Sequence, residues 1–209
     1  MKRALLVGIN KYKNFSGNNL RGCVNDVKDM QAILKKYYGF TDSEITILTD
    51  SNATRNAILD TAAKLLLEIK KEGKGYFLET QSGHGTQMIC KDQDEDDGLD
   101  EIFCPYDISN GNGNWKENSV IKDDDFYNLF KDIPKEIMIE VILDTCHSGD
   151  GLRDIGGLFK KKTNSRYIVP PFNIDGLRKI SKKFKEQTIK DRLSENQICW
   201  SACKDDQTS

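Results

Sequence analysis

The stretch Ile137-Met138-Ile139-Glu140-Val141-Ile142-Leu143-Asp144-Thr145-Cys146-His147-Ser148-Gly149 decides the fold. Ile137–Leu143 is almost continuously apolar and β-branched, as a strand buried on both faces must be. The polar residues that follow, ending in glycine, turn the chain away from the sheet. Similar short apolar runs occur at Ala4–Ile9, Ile45–Leu48, Tyr76–Thr80 and Gln197–Ala202. Helical patterns lie between them. Asn25–Tyr37 places Val27, Met30, Ile33 and Leu34 on one face and stops at Gly39. Thr54–Lys70 turns Ile58, Ala62, Leu65 and Leu66 inward, a third helix starts near Asp123, and a basic one spans Leu177–Lys190. This alternation predicts an α/β fold, a mainly parallel central sheet with helices on both faces. Function in such sheets sits at the carboxyl ends of the strands, which singles out the segments after Ile9, Thr80 and Leu143.

The 209 residues read as one domain, 1–209, with no internal repeat or linker. With 37% hydrophobic and 31% charged residues the composition is that of an ordinary globular chain. A net charge of −2 points to neither a nucleic-acid nor a membrane partner. The apolar start is too short for a signal peptide and is followed by polar Asn10-Lys11-Tyr12-Lys13, so a cytoplasmic protein is expected, favoured as a monomer. The six cysteines (Cys23, Cys90, Cys104, Cys146, Cys199, Cys203) have no CxxC pair and no zinc-ligand spacing, which predicts reduced thiols. Two segments interrupt the alternation, and both read as solvated loops. One is acidic Lys91–Asp107, and the other is Asp150–Arg166, which contains Lys160-Lys161-Lys162.

Gln81-Ser82-Gly83-His84-Gly85 puts a histidine between two glycines just past a strand. Glycine lets the backbone turn sharply and lets a ligand approach. The imidazole suits general-base work near neutral pH, against the alternative of a histidine packed at a strand end. Cys146 leaves the next buried strand in the same way, with backbone N–H groups nearby to hold an oxyanion. A lone strand-end cysteine is more often structural. Paired with His84, it reads as a thiolate nucleophile activated by an imidazole on a neighbouring loop. His147 is the competing base, but adjacent side chains in extended backbone point to opposite faces. A Cys-x5-Arg phosphate loop fails on spacing, because Leu152 stands where the arginine belongs and Arg153 is one place late.

Ser82-Gly83-His84-Gly85 and Asp144-Thr145-Cys146-His147-Ser148-Gly149 resemble the histidine and cysteine motifs of metacaspases and their bacterial relatives, the orthocaspases. Leu5-Leu6-Val7-Gly8-Ile9-Asn10, Leu20-Arg21-Gly22-Cys23-Val24-Asn25-Asp26, Asp97-Gly98-Leu99-Asp100-Glu101 and the tail from Ser201 agree in order with the same family. The resemblance implies a caspase-like α/β sandwich. It implies peptide-bond hydrolysis through an acyl-enzyme on Cys146, with His84 handling the proton. It also implies protein or peptide substrates cut after Arg or Lys, the basic side chain entering a pocket that maps onto Asp26 and Asp144, with Cys23 and Ser82 beside them. A buried guanidinium or ammonium does need carboxylate partners. Helix capping by Asp26 and a turn role for Asp144 remain the plainer alternatives. A calcium ion, required by many metacaspases, maps onto Asp100, Asp123, Asp124 and Asp154. The basic loop Lys160–Arg166 would suit self-cleavage.

The sequence departs from the family at Glu79-Thr80-Gln81, where more apolar residues are usual, and a changed substrate groove is the expected consequence. The resemblance also implies a small-subunit segment following the position of Ser209, making 1–209 a large-subunit-like region. Two other readings stay open: a caspase-like peptidase of different specificity, and a non-catalytic caspase-like scaffold.

Overall fold

Burial on alternating faces of parallel strands organises the chain. In the computed structural model, which describes residues 1–89, 99–145, 166–172 and 194–201, the elements run in this chain order. First come β1 (Lys2–Gly8), α1 (Cys23–Tyr37), β2 (Ile45–Thr49), α2 (Arg55–Lys71) and β3 (Gly75–Ser82). Then follow β4 (Gly85–Ile89), β5 (Leu99–Phe103), β6 (Asn110–Gly111), β7 (Asn114–Trp115) and β8 (Ile121–Lys122). Last come α3 (Asp123–Phe130), β9 (Ile137–Asp144) and β10 (Gln197–Ser201).

Five strands form the main sheet in the order β10-β9-β3-β1-β2, every neighbouring pair parallel. Leu5 and Val7 of β1 face one side with Phe77, Ile139 and Val141. There they meet Ile58, Ala62, Leu65, Leu66 and Ile69 of α2 and Phe126 and Phe130 of α3. Ala4 and Leu6 face the other side with Leu78, covered by Val27 and Leu34 of α1. Each such fully buried side chain contributes about 1.5–3 kcal/mol through its removal from water. A smaller antiparallel sheet, β4-β5-β8, stands beyond the end of β3, and β6 pairs with β7 in a short hairpin.

Local chemistry sets the helix ends. The Asn10 side-chain oxygen accepts from the Cys23 N–H (3.0 Å), satisfying a donor in the first turn of α1 from a residue just past β1. Gly39, at φ +63°, lets the chain reverse so that Phe40 folds back under α1. Thr54 caps α2 by accepting from Ala57 N–H. Gly8 matters for a different reason. A Cβ there would lie 2.5 Å from the Cys23 carbonyl oxygen, so only glycine lets α1 begin this close to β1.

Among the described residues, the five predicted strands and the first three predicted helices are present with shifted ends. Ile33 is a correction, being 42% exposed rather than facing the core. Six residues on from Val27 it points about 120° away around the helix, whereas Leu34 points within about 20°. The acidic stretch ending at Asp107 is also not all loop. Its residues 99–103 form β5, with Asp100 only 3% exposed. The predicted helix Leu177–Lys190, the motif residues Cys146 and His147, Asp154, Lys160–Lys162, Cys90 and Cys203 lie outside the described residues. Cys23 and Cys104 are buried free thiols. No described helix is long and apolar enough to cross a membrane.

Candidate active site

The carboxyl ends of β1, β3 and β9 line up in one row, with Gly8 opposite Ser82 and Ser82 opposite Asp144. This is the crevice where the chain changes direction across the sheet, because β2 and β3 flank β1 on opposite sides. The segment after β1 and the turn after β3 therefore face one another.

His84 sits in that crevice, 2% exposed. Its Nε2 lies 2.6 Å from the Asn18 carbonyl, which can only accept, so the proton is on Nε2 and Nδ1 carries the lone pair. Its backbone N–H donates to the Tyr12 hydroxyl at 2.8 Å, and the two rings stand 5.0 Å apart. Burial pushes the imidazole pKa below its ordinary value, opposed by the Asn18 and Arg166 carbonyls, while the Arg166 charge pushes it down further. The resting ring is thus neutral. Nδ1 makes no well-formed hydrogen bond within the described residues. A neutral, immobilised imidazole with one open nitrogen is a competent proton acceptor.

The four residues expected to form a pocket converge. The Ser82 hydroxyl donates to Asp26 Oδ2 at 2.7 Å. Asp26 projects from the first turn of α1, Asp144 ends β9, and the buried Cys23 thiol hydrogen-bonds Ser82. Burial raises the Cys23 pKa, so this thiol is neutral, unlike a nucleophilic cysteine. At their centre lies a guanidinium. Arg166 Nη2 donates to Asp26 Oδ2 at 2.9 Å, and Nη1 to Ser82 Oγ and the Asp144 carbonyl, each at 3.0 Å. Nη1 also pairs with the Asp144 carboxylate. Asp26 in the first turn of α1 and Asp144 at the end of β9 keep the places of the plainer readings, and both also pair with the Arg166 guanidinium.

Glu79 and Gln81 do not line a groove. Both are buried beneath the site and bonded to each other, Gln81 Nε2 donating to Glu79 Oε1 at 2.6 Å. Complete burial raises the Glu79 pKa to about 7.

The candidate cation ligands behave differently. The Lys122 ammonium lies 3.0 Å from the Asp100 carboxylate, and Asp123 and Asp124 begin α3. Among the described residues no three acidic, histidine or cysteine side chains gather in a way that could hold a metal ion.

Sequence reasoning did not foresee the Asn18 carbonyl or the Tyr12 hydroxyl as parts of the site. Backbone groups leave no mark in a residue pattern. Tyr12 follows β1 by four residues, and only its position at a strand end could have marked it.

A parallel sheet flanked by helices, with a histidine and an acidic pocket at its carboxyl edge, defines a caspase-like α/β sandwich. The family described as "Metacaspase, peptidase C14 domain" matches residues 2–154, and the chain belongs to it. Among curated relatives, Metacaspase III c of Phaeodactylum tricornutum is 36% identical over 188 residues, covering 88% of this chain and 52% of the relative. Metacaspase-6 of Arabidopsis thaliana is 38% identical over 181 residues, covering 78% and 44%. Metacaspase-1 of Meyerozyma guilliermondii is 30% identical over 255 residues, covering 100% and 56%. The chain thus spans about half the length of the curated relatives it matches. A solved structure from Geobacter sulfurreducens shares the fold at a TM-score of 0.64 and 24% identity, covering 99% of this chain and 74% of that one.

Proposed function

We propose that this chain is the catalytic part of a cysteine endopeptidase that cuts after Arg or Lys, with Cys146 as nucleophile and His84 as base. The observation that carries the reading is the convergence of Asp26, Asp144 and Ser82 on one guanidinium, with the Cys23 thiol beside them, next to an imidazole with an open nitrogen. Two carboxylates and a hydroxyl match the planar fork of arginine, and an ammonium can use the same acceptors as a point charge.

Cys146 follows Asp144 by two residues in the chain. In the proposed reaction its sulfur attacks the carbonyl carbon of the basic residue, and its proton passes to His84 Nδ1. The Gly85 N–H, next in sequence to the base, stabilises the oxyanion. His84 then protonates the departing amine, leaving a thioester on Cys146. Water, deprotonated by His84, hydrolyses that thioester and restores the thiol. The Asn18 carbonyl holds the imidazole through Nε2 and favours its protonated form during transfer.

Calcium stimulation belongs to the proposal as a separate question. Asp100, Asp123 and Asp124 do not by themselves fit a calcium ion, because the Lys122 ammonium is already paired with Asp100. No step is therefore assigned to the ion.

The test is hydrolysis of fluorogenic peptides ending in Arg, Lys or Asp, with calcium or chelator, beside Cys146→Ala and His84→Ala. Cleavage after Arg or Lys, lost in both variants, is expected. Cleavage only after Asp would overturn the pocket assignment and leave the dyad standing. Peptide binding without turnover in a longer chain would favour a scaffold.

A further inference from the structure

We propose that Arg166 is the resting occupant of the acidic pocket, an internal stand-in for a substrate's basic residue, and that incoming basic peptides must displace it. The inference rests on the reading of Asp26 and Asp144 as the substrate pocket.

Two independent sets of contacts support it. The first is the side chain: the guanidinium meets Asp26, Asp144 and Ser82, and is only 18% exposed. The second is the main chain. The Arg166 carbonyl accepts from the Gly85 N–H at 2.9 Å, the same donor assigned above to the oxyanion, and the Ile168 N–H donates to the Gly85 carbonyl at 3.1 Å. Gly85 and Tyr167 are thereby bridged in parallel. Both halves of the residue occupy the places the mechanism assigns to the residue before the cut bond. A purely structural ion pair would need the guanidinium alone.

The occupancy is intramolecular. Arg166 lies 140 residues from Asp26 in sequence, yet Tyr167, Ile168 and Pro170 are buried beside it and keep it close. A tethered group competes at an effective concentration that a dilute peptide cannot match. The apparent affinity for a basic peptide is then lowered by the fraction of chains whose pocket is open. Neutralisation also favours the closed state, since without Arg166 the carboxylates of Asp26 and Asp144 face each other across the pocket with Ser82 between them.

The test uses the full chain carrying Cys146→Ala, so that nothing is cut, and a fluorescent acyl-peptide ending in arginine amide. Adding Arg166→Ala is expected to tighten binding at least tenfold, with Arg166→Lys in between. Adding Asp26→Asn to the Arg166→Ala chain should remove the gain. If Arg166→Ala leaves affinity unchanged while Asp26→Asn weakens it, the internal occupant is overturned and the pocket stands. If neither Asp26→Asn nor Asp144→Asn alters binding, the pocket reading itself fails and takes the occupant with it. Should Arg166→Ala impair folding, Arg166→Gln and hydrogen exchange in the chain with Arg166 intact replace it. Saturating peptide should speed exchange at the Ile168 amide, which loses its bond to the Gly85 carbonyl if Arg166 is displaced, while the Gly85 N–H passes to the peptide's carbonyl. Unchanged protection at Ile168 with peptide bound would overturn the proposal.

Discussion

Two acidic places in this molecule each hold a cation, and they do so in different ways. At the edge of the main sheet, Asp26 and Asp144 hold Arg166, which reaches them from an irregular segment far along the chain. At the start of α3, Asp100 holds Lys122, and here the partners sit on neighbouring strands: β5 pairs with β8, setting Ile102 opposite Lys122. Backbone hydrogen bonds fix the second pair, and Asp100 is almost wholly buried. The first pair is closed by a segment outside the main sheet, and its carboxylates keep partial access to water, at 40% and 34% exposure. A cation delivered by a segment can be exchanged for another. A cation delivered by strand register is structural.

The sharpest break in this comparison comes from the base beside the first cluster. His84→Ala should lower turnover by about 10³-fold, as expected for a lost general base, with folding intact by circular dichroism. Next, Asp26→Asn should cut kcat/KM for arginine peptides about 10²-fold, the usual cost of breaking a partly buried charge pair. Asp100→Asn should leave KM for the same peptides unchanged. An equal effect of both substitutions would erase the distinction between exchangeable and structural cations.

Stability offers a finer test. Glu79 keeps its proton in the folded chain up to about pH 7 and loses it in the unfolded chain near about 4.3. Its contribution is therefore fully present below about pH 4 and is lost as pH rises towards about 7, by on the order of 3 kcal/mol. Urea midpoints should fall across that window, and Glu79→Gln should flatten the fall. Lys122→Met, which leaves Asp100 buried without its partner, should destabilise by roughly 3 kcal/mol in thermal unfolding. Added calcium should restore part of that loss, and only in the variant. The smallest effect is the acid limb of kcat/KM. With its pKa lowered by burial, His84 stays neutral further into acid, so the limb should lie below about 6.5.

Much of this was legible in the chain. Continuous apolar runs separated by helical patterns define parallel strands, and Ile137–Leu143 could hardly be anything else. His84 stood out because glycines flank it at a strand end, and Asp26, Asp144, Cys23 and Ser82 were readable by resemblance. The small sheet β4-β5-β8 was not, since β5 is built from an acidic segment whose burial depends on what lies over it. Nor was the fate of Glu79 and Gln81. By sequence they are expected to alter a substrate groove, whereas their mutual hydrogen bond lets them be buried in the core.

The order along the chain of the main-sheet strands and the helices between them, and with it the sheet's parallel sense, was determined by local pattern. Periodicity and turn residues act within a few positions of each other. The tertiary structure alone decided which cation each carboxylate holds, which imidazole nitrogen stays open, and that Arg166 meets Asp26. Those pairings join residues up to 140 positions apart, and they exist only once strand register has brought distant backbone ends within hydrogen-bonding range.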